Sequence, residues 1–418
     1  MTRRISGTVF WGLVFVVFGI LFLARNLGYP IPLWTVFARY WPVLLIVWGL
    51  FKLVDSLRAE PGEKRSLFSG GDVAAIILVI VFGSLVTLAA DMNPDLGKIF
   101  NTQNFDVWDI TGNNFTFTER HVLVVGANPS IEVEGNFCDV EVTRSDSNEI
   151  TVDVRKTIRA ADQSEGERLS SSFVYSITDI SGNGQNKYKI AANSNRRYKA
   201  SLGIRVPARS NVSVENRNGG VTIRGIDGNQ EITNRFGDIE VQGITGTVKI
   251  RNQNGTVHVE DIGDSVTISN SFGPVNVSNI RGELKIDGRN NEIDIEHVEK
   301  DLDVESAFQN VDIDDAKGAV KVKSRNGEVS VRLLQRPTRD ISIESQFGDV
   351  NLDIPEGSTF RADVNSRFGD VHSDFPELQM NSHNAEHSLK GQVGTGGPTI
   401  KVETRNGEIR FTRKGSVL

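Results

Sequence analysis

From about residue 212 onward, apolar and polar residues alternate in short stretches that recur at a fixed interval. Asp238-Ile239-Glu240-Val241 and Thr247-Val248-Lys249-Ile250 are two such stretches, joined by Gly243-Ile244-Thr245-Gly246. Such alternation marks strands buried on one face, and the glycines mark places where the chain must turn. Asn218-Gly219, Phe236-Gly237, Asn254-Gly255 and Phe272-Gly273 follow one another at eighteen residues, and Asn290-Asn291, Phe308-Gln309 and Asn326-Gly327 continue the series. The interval widens to twenty-one for Phe347-Gly348 and Phe368-Gly369, and Asn406-Gly407 closes the domain.

A unit this small cannot bury its own apolar face, so neighbours must stack. The expected fold is an all-β parallel β-helix, a β-solenoid of about 18 residues per repeat. Ile239, Val241, Val248 and Ile250 point inward, and Glu240 and Lys249 point outward. The alternating Asn and Phe before each glycine predict a corner whose side chains face inward, Phe filling volume and Asn capping the turn. The alternation also permits a 36-residue coil. Eighteen is preferred, because two strands and two turns already close a small loop. Upstream, Asn136-Phe137-Cys138-Asp139-Val140-Glu141-Val142 reads like Arg235-Phe236-Gly237-Asp238-Ile239-Glu240-Val241, with Cys138 in the glycine place. Between them, residues 160–197 are polar and predict an insertion or a wider, irregular first coil.

The first hundred residues follow another pattern. Ile5 to Ala24 and Val73 to Ala90 are uncharged apolar runs of twenty and eighteen residues, lengths that match a bilayer core. Tyr40 to Phe51 is equally apolar but only twelve residues long. Arg39 and Lys52 can snorkel from its ends, and Trp34, Tyr40, Trp41 and Trp48 resemble interfacial anchors. The expectation is an α-helical membrane region over 1–92, with spans near 5–24, 38–54 and 73–90. A re-entrant hairpin is the alternative for the middle one. A linker over 93–122, a solenoid over 123–414 with a loop at 376–398, and a tail at 415–418 complete the predicted organisation. Arg3 and Arg4 precede the first span, and Lys52, Arg58, Lys64 and Arg65 precede the last. The positive-inside tendency puts the N-terminus in the cytoplasm and the β-domain on the extracytoplasmic side of a bacterial inner membrane. The acidic stretch Asp91 to Asp95 agrees with that polarity, and the length of the first run argues against a cleaved signal peptide.

Composition narrows the function. A net charge of -7 with no clustered basic face gives no reason to expect nucleic-acid binding. A single cysteine, Cys138, excludes an intrachain disulfide and any multi-cysteine metal site.

Phe10-Trp11-Gly12-Leu13, Phe18-Gly19-Ile20-Leu21-Phe22-Leu23 and Tyr40-Trp41-Pro42-Val43-Leu44-Leu45-Ile46-Val47-Trp48-Gly49 resemble the membrane module of LiaI/LiaF-type proteins. That resemblance implies a bacterial membrane setting, often beside envelope-stress regulators. Over residues 120–414, the Val206-Pro207 leader, the Asn-Gly repeats and the terminal Thr404-Arg405-Asn406-Gly407-Glu408-Ile409 resemble the bacterial putative-adhesin β-repeat domain called toastrack. Members of that family are thought to form single-stranded β-helices.

Candidate chemistry is sparse. His383-Asn384-Ala385-Glu386-His387 matches the H-x-x-E-H arrangement of inverted zinc peptidases, which requires both histidines on one helix face. The glycine-rich surroundings favour a chance match in a mobile loop. Asp301, Asp303, Asp312, Asp314 and Asp315 could line one flank, as in β-helical enzymes acting on polysaccharides, or form a solvated strand face. Neither Cys138 nor His258 has a catalytic motif around it, and no phosphate-binding loop is present. The expectation is therefore no catalytic residues, no cofactor and no metal. The chain reads as a non-enzymatic, membrane-anchored envelope protein whose solenoid serves adhesion, partner binding or stress sensing. Its expected partners are the lipid bilayer and envelope proteins, glycans or further copies of itself. A β-helical enzyme acting on polysaccharide and a purely structural spacer are the alternatives.

Overall fold

The computed structural model describes residues 113–182, 186–193 and 198–415, together with Val16. Apart from Val16, the expected spans lie outside the described residues. Thr111–Leu418 forms one compact unit.

Parallel pairing at a fixed offset of one repeat builds the stack. Ile239, Val257, Val275, Ile293, Val311 and Val329 are successive partners in one sheet, sheet I. Gln230, Val248, Val266, Leu284, Leu302 and Val320 are successive partners in the other, sheet II. Each eighteen-residue repeat therefore gives one strand to each sheet, and one repeat is one coil. Ile239, Val241, Val248 and Ile250 are at most 1% exposed, as the alternation requires. Ile226, Ile244, Ile262, Ile280 and Val298 form a further interior column at the corner leading from sheet I to sheet II. Each such side chain contributes about 1.5–3 kcal/mol relative to exposure.

Both ends of the stack depart from sequence order. Strand Ser130–Ser145 is long enough to cross the corner. It pairs with Asn211–Asn218 in sheet II and Val221–Arg224 in sheet I on one side. On its other side lie Lys187–Asn193 and Tyr198–Pro207, so the described part of the 160–197 segment belongs to a wide outer coil. That coil also holds an α-helix, Gln163–Ser171, capped by Asp162. At the far end, Thr399–Asn406 and Ile409–Lys414 slot between the coil of Ile341–Pro355 and the coil of Phe360–Ser373. The last coil in sequence is an interior coil in space.

Three expectations are corrected. The linker at 93–122 is strand from Asn113, because Phe115, Phe117 and Leu123 alternate and pack on the core while Asn113–Val124 pairs antiparallel with Glu149–Ala160. The loop at 376–398 contains a β-hairpin, Gln379–His383 and Glu386–Val393. Leu389 and Val393 anchor it with 2% and 6% exposure. The final edge is therefore this hairpin in sheet II and Val371–Ser373 in sheet I. Third, the corner phenylalanines do not point inward: Phe236, Phe272, Phe308, Phe347 and Phe368 are 42–56% exposed.

Candidate functional site

The corner leading from sheet II to sheet I carries the Phe/Asn series. The amides that cap it stand two residues before the predicted ones. Asn234 Nδ2 donates to the carbonyls of Gly219 (3.1 Å) and Gly237 (3.3 Å), linking its own coil to the previous one. Asn216, Asn252 and Asn270 repeat this pattern and are all buried. Where the series reaches Gly288, Asn291 takes over from the next turn. Its Nδ2 donates to Gly273 O at 2.6 Å, and its Oδ1 accepts from Arg289 N. Ser306, Ser324, Ser345, Ser366 and Thr404 continue the column. The tightness of this corner is what requires glycine. At Gly255, φ is +137° and an added Cβ would stand 2.2 Å from Gly237 O.

With the inner position taken by these amides, the next residue but one is pushed outward. A ridge results along the corner. In spatial order it runs Phe137, Asn218, Phe236, Asn254, Phe272, Asn290, Phe308, Asn326, Phe347, Asn406, Phe368. The amides of Asn218, Asn254, Asn290, Asn326 and Asn406 make no side-chain hydrogen bond among the described residues.

The opposite corner carries a groove of about 740 Å³ whose lining includes Asp261, Asn279, His297 and Asp315. These four share a left-handed backbone, with φ between 55° and 57°, and they continue a column begun by Gly225 and Gly243. Asn279 Nδ2 donates to Asp261 Oδ1 at 3.0 Å, and His297 Nδ1 lies 3.0 Å from Asp315 Oδ2. Asp315 is buried, and its Oδ1 has no hydrogen-bond partner. Sequence reasoning missed this column, although its signal is present. Gly, Asp, Asn and His recur there at eighteen residues, and these residue types tolerate positive φ best.

The acidic candidates separate. Asp303 faces out of sheet II, within 4.0 Å of Lys285 and Lys321, whereas Asp312 faces out of sheet I. They line no common flank. Asp294 and Asp312 are direct cross-strand partners, with Glu292, Asp314 and Glu328 near them. Burial, then the neighbouring carboxylates, hold both carboxyls above the usual range. Asp314 is instead paired with Arg332 at 3.2 Å. His383 and His387 lie on opposing strands of the hairpin, His383 facing Glu386. His387 Nδ1 is 3.1 Å from Ser382 Oγ. The helix face that zinc chemistry needs is absent from this segment. No group of three or more His, Cys, Asp or Glu among the described residues is placed to hold a metal ion. His258 lies 3.9 Å from Glu260. Cys138 is 1% exposed, and burial pushes its thiol up to about 12.

The outer coil holds a buried cation. Lys156 donates to Glu119 at 2.6 Å and lies 5.3 and 5.1 Å from the ring centres of Phe173 and Tyr175. Tyr175 is hydrogen-bonded to Glu119 and His121. Hydrogen bonds from Lys156 and Tyr175 hold the Glu119 carboxyl below its ordinary value. This cluster ties Asn113–Val124 to Glu149–Ala160 and to Val174–Asp179.

These features define an all-β solenoid with outward-facing decoration. Residues 128–412 match the family model Toastrack DUF4097, and the chain belongs to that family. Residues 10–100 match the LiaF transmembrane domain, which marks the chain as membrane-anchored. Similar solved structures include a putative cell adhesion protein from Clostridium sporogenes, with 10% identity, 71% of this chain and 100% of that chain covered, and a TM-score of 0.18. A putative adhesin from Bacteroides fragilis shares 11% identity over 71% of this chain and 97% of that chain, with a TM-score of 0.25. One from Parabacteroides distasonis shares 11% over 72% and 98%, with a TM-score of 0.30. TM-scores this low carry no argument about fold or function. No curated protein matches the chain.

Proposed function

We propose that this protein is a non-enzymatic component of the bacterial cell envelope, anchored by three membrane spans with its N-terminus in the cytoplasm. Its solenoid stands on the extracytoplasmic side and presents a recognition surface to an envelope component. The observation that carries this reading is the phenylalanine ridge. Five large apolar side chains are held about half exposed at every second coil, with an Asn between each two, and exposed apolar side chains aligned on one edge and rimmed by polar groups mark an interaction site. A reporter fused after Leu418 tests the placement. Activity of a periplasm-dependent reporter is expected, and activity of a cytoplasm-dependent one would overturn it.

A second reading, an enzyme acting on envelope polysaccharide, is favoured by one observation. The raised Asp294 and Asp312 carboxyls resemble the proton donor of a glycosidase. They lie on an outward sheet face, where a substrate would have to be gripped without a cleft. Glycan cleavage by the full chain that is abolished by Asp312→Asn would establish this reading. Inactivity on a broad glycan panel counts against it.

A further inference from the structure

We infer that the partner of the Phe/Asn ridge is the ridge of a second copy of this chain, the two solenoids lying side by side and parallel about a two-fold axis along the stack. This deepens the display reading, on which it rests only in taking the ridge as the displayed surface.

The charges on either side of the ridge motivate it. The residue before each ridge position faces out of sheet II, and the residue two places after precedes the strand of sheet I. Arg235 and Asp238, Arg289 and Glu292, Arg325 and Glu328, Arg405 and Glu408, and Arg367 and Asp370 occupy these two flanks in five coils. Three coils carry neither charge, with Gln253 and Thr256, Ser271 and Pro274, and Ala307 and Asn310 instead, and three carry one, with Asn136 and Asp139, Arg217 and Gly220, and Gln346 and Asp349. Arg235, Arg289, Arg325 and Arg405 are exposed and in no ion pair among the described residues. Among the described residues, the Arg367 guanidinium has only the ring of Phe368, 5.3 Å away.

Only one way of facing two ridges satisfies both flanks. A two-fold axis along the stack puts the arginine flank of each copy against the carboxylate flank of the other in the five coils that carry both, where Glu408 also pairs with Arg410 and Glu328 accepts from Asn351 within the chain. An antiparallel arrangement puts arginine against arginine. The parallel one is isologous and stays in register, because both copies have the same period. Phe then meets Phe, and the unpaired Asn amides meet each other, as in stacked amide ladders.

Size agrees. Eleven ridge positions at about 4.8 Å per strand make a contact about 50 Å long. A strip of that length and about 10 Å wide buries about 500 Å² per partner before the flanking side chains are added, against roughly 800 Å² for a specific interface. The five rings alone fall well short of that, so the charged flanks are part of the interface.

The experiment is disulfide trapping of the full chain in opened membrane vesicles, where an added oxidant reaches both faces whatever the topology. Every ridge position lies beside the axis, so Phe236→Cys, Phe308→Cys and Phe368→Cys should each cross-link to the same position of a second copy. Thr267→Cys, on the outer face of sheet II, should not. Cross-linking at only one of the three positions indicates an antiparallel contact and overturns the proposal, as does cross-linking at none or equally at Thr267. Charge exchange gives an independent arm, read by co-purification of two differently tagged copies carrying Phe308→Cys. Arg289→Glu with Arg325→Glu, and Glu292→Arg with Glu328→Arg, should each lose at least tenfold of the self cross-link. The mixture of the two variants should recover it as a mixed dimer. Failure of that recovery, with both variants retaining the parent melting temperature, overturns the charge register.

Discussion

Phe347 and Asn406 are direct partners on neighbouring parallel strands, although a whole further coil and a hairpin separate them along the chain. On the other side of Asn406 lies Phe368, placed there by the pairing of Ser366 with Thr404. In sequence order the Phe/Asn alternation breaks, with Phe347 followed by Phe368. In space it is intact from Phe137 to Phe368.

The intercalation predicts an unusual response to truncation. Removing residues 399–418 should not trim one end coil. It should leave Ile341–Phe347 and Phe360–Ser366 without the strand both pair with. We expect limited proteolysis to release the whole segment from about residue 356 onward. Cleavage confined to the new C-terminus would show that Phe360–Ser373 can dock directly on the preceding coil.

The corner should be sensitive in proportion to its closeness. Gly255→Ala combines a disfavoured φ with a Cβ placed 2.2 Å from Gly237 O, and should cost at least about 2 kcal/mol. Asn234→Ala removes the donor shared by Gly219 O and Gly237 O, and should cost about 1–2 kcal/mol. Phe308→Ser, at a half-exposed position, should stay within about 1 kcal/mol of the parent. Chemical denaturation of the three variants orders them, and a Phe308 effect as large as that of Gly255 would contradict the outward placement.

Asp312→Asn should stabilise the protein at neutral pH. Burial and the facing Asp294 raise the Asp312 carboxyl in the folded state. The folded form thus binds a proton more readily than the unfolded one, and stability falls as pH rises from the ordinary carboxylate value of 3.8 through the raised one. Relief of one like-charge cross-strand pair is worth about 0.2–1 kcal/mol. The gain should be present at pH 7 and vanish below about pH 4, as read from melting temperatures across that range.

Cys138 should be silent to thiol reagents in the folded protein. Its thiol is buried and pushed up to about 12, chiefly by burial, so almost no thiolate exists at pH 8. Labelling should appear only in denaturant, with the same midpoint as unfolding. Rapid labelling of the native chain would show that the strand crossing the corner at Phe137 opens locally.

The repeat, its two strands and its inward residues were legible in the sequence, because a side-chain period of two and a chain period of eighteen are local properties. Ile239, Val241, Val248 and Ile250 had one possible destination. The choice between 18 and 36 residues per coil was decided by pairing, since Phe236 meets Asn254 and not Phe272. At the corner, the residue type that caps the turn was readable but its place was not. Asn234 and Asn254 are equally polar, and only the path of the backbone puts one against two carbonyls and the other half-buried on the outer ridge. The column of Asp261, Asn279, His297 and Asp315 was hidden for a related reason, because positive φ is a backbone property that several residue types can meet. Most remote from the sequence was the order of the end coils. Strand pairing joins residues far apart along the chain, and chain position does not encode it. The sequence thus determined what a coil is and which side chains it buries. The tertiary structure decided which coils are neighbours, and with it the unbroken ridge of Phe and Asn along the outside.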